Sequence, residues 1–188
     1  MTPKIVIVIG ATGLVGRAFV KQLGSDQAVD EIRCLVRRPI IGQNTSKCTY
    51  HEVSFLDLDR ASHLFEGVTD VVCCVGTTMK KAKSREQFQI VDHYIPKVVA
   101  RIAKDYNVDS YQLVSSVGAN ENSGSFYLRV KGMVEKTVAQ SEFKRFIIYR
   151  PSLLLGKRDE FRFFELLMLV FFRFFFWLVP KKIKTVIN

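Results

Sequence analysis

Tyr127 and Lys131 stand four positions apart in the stretch FYLRVKG, residues 126–132. On a helix, side chains at that spacing share one face a turn apart, so a phenol and an ammonium can act there on a single bound molecule. The pair alone fits equally well a surface tyrosine beside a solvated lysine. Two hydroxyls change the balance, because Ser115 and Ser116 close the apolar run SYQLVSS shortly before that helix. Together the groups suit reduction of a carbonyl. As hydride reaches the carbonyl carbon, negative charge grows on its oxygen; a phenol can give that oxygen a proton, and a serine hydroxyl can hold it. A phenol with an unperturbed pKa of about 10 is a slow partner at neutral pH, and a neighbouring cation favours its charged form. Lys131 supplies that cation.

Such a constellation needs a rigid frame. Short apolar, β-branched runs alternate with segments of helical period: KIVIVIG, a helix from about Leu14 to Leu23, EIRCLVR, then YHEVSF. A short helix follows around Asp59 to Phe65, then the strand DVVCCVG, a long helix from about Glu86 to Tyr106, the strand SYQLVSS, the Tyr127 helix to about Gln140, and RFIIYRP. Continuous apolar strands separated by helices indicate a parallel sheet buried on both faces, an α/β doubly wound fold of Rossmann type. The expected organisation is one such domain over residues 1–156 and a hydrophobic helical segment over 157–188.

The first strand runs into G-A-T-G-L-V-G, with Gly10, Gly13 and Gly16 at the head of a helix. Glycine is required where the backbone turns tightly and where a pyrophosphate approaches main-chain N–H groups; the helix terminus adds free donors and partial positive charge. With Thr12, Leu14 and Val15 between these glycines, the turn is the expected cradle of a dinucleotide. The second strand ends in Arg37 and Arg38, where an acidic residue would select a free ribose 2'-hydroxyl and a guanidinium instead suits a 2'-phosphate. NADP(H) is therefore expected in preference to NAD(H), with Arg37 placed ahead of Arg38; a solvated strand end is the plainer alternative. Asp57, with Leu58 beside it, stands where a carboxylate can receive an adenine amino group, or where it can cap the short helix that follows. Gly76 and Thr77 end the fourth strand and leave room for a cofactor ribose, which Lys131 can reach by hydrogen bond.

The chain has 188 residues, 48% of them apolar, enough for one well-buried core. Four cysteines without a C-x-x-C spacing, and an N-terminal apolar run too short for a signal peptide, give the expectation of reduced thiols and a cytoplasmic location. The net charge of +10 favours anionic partners. Its basic residues are scattered, without the aromatic-interleaved stripe of a nucleic-acid reader, so no nucleic-acid partner is expected. His51, His63 and His93 lie in unrelated segments and offer no metal-ligand spacing.

With these residues in place, the sequence resembles the short-chain dehydrogenase/reductase superfamily in its atypical, extended-like form. GTTMKKA (76–82), VDHYIP (91–96), LVSSVGA (113–119), FYLRVKG and RPSLLLG (150–156) are similar to the Tat-interacting-protein-like oxidoreductases. The resemblance implies Ser116, Tyr127 and Lys131 as the catalytic set, with Ser115 as the other serine, and Pro151, Ser152 and Leu153 along the nicotinamide. It also implies a Pro-Gly after the residue matching Arg162, where Phe163 and Phe164 stand, and a further helix beyond KTVIN, where the sequence stops at Asn188.

Residues 161–179 form a phenylalanine-rich block that Arg162, Glu165 and Arg173 interrupt, the last two well inside it. Each charge costs about 2.5 to 3.5 kcal/mol near a bilayer centre, against about 0.3 to 0.6 gained per large apolar residue, so insertion comes out near balance. The block is expected to cover substrate, join protomers or lie at a membrane surface. Two functions follow from the whole: an NADPH-dependent reductase of a small carbonyl compound, or an NADP(H)-binding regulator or assembly factor that acts through partners.

Overall fold

A computed structural model describes residues 3–40 and 42–152. The expectations for Leu153, for residues 157–188 and for the Phe-rich block 161–179 lie outside the described residues. Six parallel strands form one sheet: β1 Ile5–Ile9, β2 Glu31–Val36, β3 Cys48–Glu52, β4 Asp70–Cys73, β5 Ser110–Val114 and β6 Arg145–Tyr149. Their order across the sheet is β3-β2-β1-β4-β5-β6. The order reverses beside β1, which opens a crevice at the carboxyl ends of β1 and β4 where doubly wound sheets bind ligands.

The alternation within β1 explains why it lies at the centre. Ile5, Ile7 and Ile9 enter one apolar cluster with Phe65, Val99, Ile102 and Tyr111, whereas Val6 and Val8 enter a second with Ala11, Ile32 and Cys34. Both faces are covered, so a run with no polar alternation is what the position demands. Helix α1, Leu14–Ser25, packs on the second cluster through Phe19, Val20 and Leu23. The opposite face carries α4, Ile95–Asp105, and α5, Phe126–Ala139, after the short helices α2, Met79–Ala82, and α3, Arg85–Gln89.

Three elements depart from the sequence expectation. The third strand covers 48–52 rather than 50–55, because after the Val53 amide bonds to the Val36 carbonyl at 2.9 Å the chain leaves the sheet and buries Phe55 and Leu58. The segment Leu58–Phe65 is a 3-10 helix. The long helix expected over 86–106 is interrupted by a π-helical turn, Ile90–Tyr94, where the Ile95 amide reaches back to the Ile90 carbonyl. Pro96 follows at once, lacks an N–H and cannot continue the regular ladder, which accounts for a break at this point. The Pro96 carbonyl is used from elsewhere: the buried Tyr111 hydroxyl donates to it at 3.0 Å.

Candidate functional site

The glycine turn is built for close backbone approach. Gly10 has φ +79°, a left-handed conformation, and a Cβ on Gly16 would stand 2.1 Å from the Gly10 carbonyl oxygen. Gly13 donates its amide to that oxygen at 3.0 Å and caps α1 without a side chain. The first-turn amides of α1 are thus left to a ligand, and no acidic residue occupies that turn to repel an anion. A narrow cradle with free donors and no Cβ in the way fits a dinucleotide's pyrophosphate. Arg37 and Arg38 are exposed just past the end of β2, on the strand next to β1.

Asp57 stands at the N-cap of the 3-10 helix, but its carboxylate makes no cap hydrogen bond and pairs with Arg60 at 2.6 Å. Asp57 and Arg60 also line an open cavity of about 610 Å³ with Tyr50, His51 and His63. Neither the glycine turn nor Ser116, Tyr127 or Lys131 lines that cavity.

Helix α5 carries the phenol and the ammonium. Tyr127 is half-buried, its ring edge-on to Phe88 of α3 at 5.9 Å. One turn further, Lys131 is buried and its ammonium lies 2.8 Å from Asp92 Oδ1, on the π-helical turn. The second carboxylate oxygen of Asp92 accepts the Thr77 amide at 2.8 Å. A Cβ on Gly76 would lie 3.3 Å from Asp92 Oδ1 and 3.7 Å from Lys131 Nζ, so the loop after β4 runs directly past the ion pair. Lys131, Gly76 and Thr77, singled out separately from sequence, are thus brought together by a residue that was not.

The end of β5 supplies the serines. Ser115 is buried, whereas Ser116 is half-buried and donates its hydroxyl to the Val117 carbonyl at 3.3 Å. The Ser115 amide bonds to the Tyr149 carbonyl and the Val117 amide to that of Pro151, so the serine segment and Pro151 run side by side; Ser152, the last described residue, is exposed. One turn beyond Lys131, Glu135 takes a forked pair of hydrogen bonds from Arg150 at 2.9 and 2.6 Å. Burial on its own raises the Glu135 carboxyl. The forked hydrogen bonds from Arg150, with the charges of Arg150 and Lys131, outweigh that and hold it below its ordinary value.

Sequence reasoning passed over Asp92, Glu135 and Arg150. A signal existed for two of them: Glu135 continues the Tyr127–Lys131 spacing by one more turn, and Asp92 is an acidic residue within an otherwise apolar helix face. Among the described residues no helix is long and apolar enough to cross a membrane, and no cluster of His, Cys, Asp and Glu is disposed to hold a metal ion.

Comparison with known proteins agrees with this geometry. Residues 10–164 match the NAD(P)H-binding family model. The chain is 34% identical to "Protein FMP52, mitochondrial" of Debaryomyces hansenii, over 81% of this chain and 68% of that protein. It is 32% identical to "Protein HTATIP2" of Rattus norvegicus, over 86% of this chain and 67% of the relative. Among solved structures, the Bordetella bronchiseptica enzyme WbmH in complex with NAD+ superposes with TM-score 0.70 at 16% identity, over 83% of this chain. A Thermotoga maritima UDP-glucose 4-epimerase with UDP-glucose superposes with TM-score 0.68 at 14% identity, also over 83%. The chain spans 58% of each of those two structures, little more than half. At such identities they speak for the fold alone. The cradle, the strand order and the matches to both curated relatives lead to one assignment: the chain belongs to the NAD(P)H-binding family, in the HTATIP2- and FMP52-related branch of the atypical short-chain dehydrogenases/reductases.

Proposed function

We propose that the chain is an NADPH-dependent reductase of a carbonyl-type small molecule, with Ser116, Tyr127 and Lys131 as its catalytic set. The observation that carries this reading is the pairing, at the carboxyl end of the sheet, of a Cβ-free phosphate cradle with a buried lysine one helical turn from a half-buried tyrosine. NADPH supplies the hydride. On the protein's side, the α1 amides bind the pyrophosphate, and Arg37, with Arg38, meets the 2'-phosphate. Asp57 and Leu58 lie at the adenine, and Gly76 and Thr77 border the ribose. Lys131 holds that ribose by hydrogen bond, Ser116 fixes the carbonyl oxygen, and Tyr127 gives it a proton as the hydride arrives at carbon. Pro151 and Ser152 border the nicotinamide. The four free cysteines suit a reducing compartment, cytoplasmic in the simplest case; the FMP52 name makes a mitochondrial location the alternative to check by fractionation.

A second reading has a specific observation in its favour. The Lys131 ammonium is compensated by the Asp92 carboxylate at 2.8 Å, which weakens the cation that Tyr127 can draw upon. An NADP(H)-binding regulator or assembly protein with little turnover fits that arrangement. The same experiment separates the two. Purified chain is titrated with NADPH and NADH, then assayed for cofactor oxidation across a panel of aldehydes and ketones. The reductase reading expects turnover that Tyr127→Phe lowers by roughly 10²- to 10⁴-fold while NADPH still binds. Binding without turnover of any panel member would leave the regulatory reading standing.

A further inference from the structure

The ion pair between Asp92 and Lys131 is nearly dry, its side chains 1% and 7% exposed. Withdrawing two charges from water is costly, and their attraction offsets that cost only when the geometry is good and the remaining valences are met. Here the carboxylate is held between two segments. One carboxylate oxygen faces the ammonium on α5, and the other accepts the Thr77 amide on the loop after β4, both at 2.8 Å. Asp92 therefore bridges two segments that converge on the expected ribose position. It stands on the π-helical turn, an irregularity that frequently marks functional sites. A lysine side chain has a flexible four-carbon stem and three donors. The ion pair with Asp92 fixes the stem, so that the ammonium's donors can be presented to a ligand.

We propose that Asp92 is a positioning residue for the nicotinamide half of the cofactor: its carboxylate locks the Lys131 ammonium and the Thr77 amide into one rigid unit that receives the ribose hydroxyls. The inference rests on the reading of this cleft as an NADP(H) site. It assigns Asp92 an action through Lys131 and the 76–77 loop, with no contact to the reacting carbonyl. A staple that served stability alone would affect both halves of the cofactor alike. A positioning residue acts on one half.

The test compares two probes on the full chain: NADPH, and adenosine 2',5'-bisphosphate, which carries the adenosine half only. Asp92→Asn keeps the shape and an acceptor for Thr77 but removes the charge. The expected result is NADPH binding weakened about tenfold or more, with the bisphosphate within about twofold of wild type, since a lost charge-assisted contact has that size. In a Lys131→Met background the same change adds less than about threefold, because both residues act as a unit. Bisphosphate binding checks the fold of every variant; should the double variant fail to fold, the selectivity of Asp92→Asn decides. Equal weakening of both probes, no weakening of NADPH, or effects that multiply across the cycle would overturn the proposal. Wild-type chain that binds no NADPH would sink the site reading itself, whereas wild-type binding that Asp92→Asn leaves intact refutes the positioning role alone.

Discussion

Gly16→Ala is the sharpest perturbation of the cradle, because a single methyl meets only backbone there. An ideal Cβ at residue 16 lies 2.1 Å from the Gly10 oxygen and 2.8 Å from both the Gly10 carbonyl carbon and the Ala11 Cα. No rotamer change relieves such contacts; the amino end of α1 has to retreat from the end of β1 by about 1 Å. Forcing extra atoms into a packed site costs about 1 to 3 kcal/mol, and a rigid backbone neighbour puts the expectation near the upper figure. The same retreat displaces the amides that face a pyrophosphate, and a hydrogen bond to a charged group contributes about 1.5 to 3 kcal/mol. NADPH affinity should therefore fall by about tenfold to a hundredfold. The control lies on the same helix: Gly24 has nothing within 4 Å of its ideal Cβ. There Gly24→Ala should be neutral or stabilising by up to about 1 kcal/mol, as alanine is the better helix former. Denaturant unfolding gives the stabilities and NADPH fluorescence the affinities. Equal stability and equal affinity for the two variants would refute the close packing on which the cradle depends.

Glu135 is held low in the folded chain, so its contribution to stability is present above its unfolded pKa of about 4.3 and is lost as pH falls through the folded value. Glu135→Gln should accordingly be less stable than wild type at pH 7, with the gap closing in acid; a gap independent of pH in denaturant melts would rule this out. Arg37→Ala should weaken NADPH by about tenfold or more and leave NADH nearly unchanged, read by titration of both cofactors. An equal loss for both would remove Arg37 from the 2'-phosphate. Burial pushes the thiols of Cys34, Cys73 and Cys74 up and away from the reactive thiolate. A disulfide reagent at neutral pH should label them slowly in the native chain and quickly in denaturant; rapid native labelling of these three would contradict their placement.

What the sequence disclosed and what it hid divide along a physical line. Apolar runs and the spacing of Gly10, Gly13 and Gly16 are local signals, because a strand buried on both faces and a turn free of Cβ atoms each impose their demand on consecutive residues. Six strands and the cradle were legible for that reason. The interruption of the long helix was less so: Pro96 was visible, but the form the break takes ahead of it, a π-helical turn over Ile90–Tyr94, was not. Asp92 itself could be read only as a motif letter. Its partners, Thr77 and Lys131, come from two different crossovers, and nothing in one segment announces them. The partner of Glu135, Arg150, likewise waits on β6 having been laid beside β5. Asp57 takes the N-cap position of the 3-10 helix, but its carboxylate goes to Arg60, one turn on, which spacing alone does not announce.

Two ion pairs fasten α5 at successive turns, and they do so to different neighbours: Lys131 to the π-helical turn, Glu135 to the residue after β6. Apolar contacts from Val130, Val134 and Val138 already bury the helix, so adhesion does not require the charges. A buried pair is weak evidence for stability, since a hydrophobic replacement of the same shape often serves as well. What charges add is position, because an ammonium and a carboxylate tolerate little sliding or rotation before the attraction is lost. Helix α5 is thereby tied at two levels, at Lys131 and at Glu135. Tyr127 stands on the same face one turn before the first of these anchors. The segment that carries Tyr127 is thus tied to two separate neighbours of α5, and a fixed phenol is what the proposed proton delivery calls for.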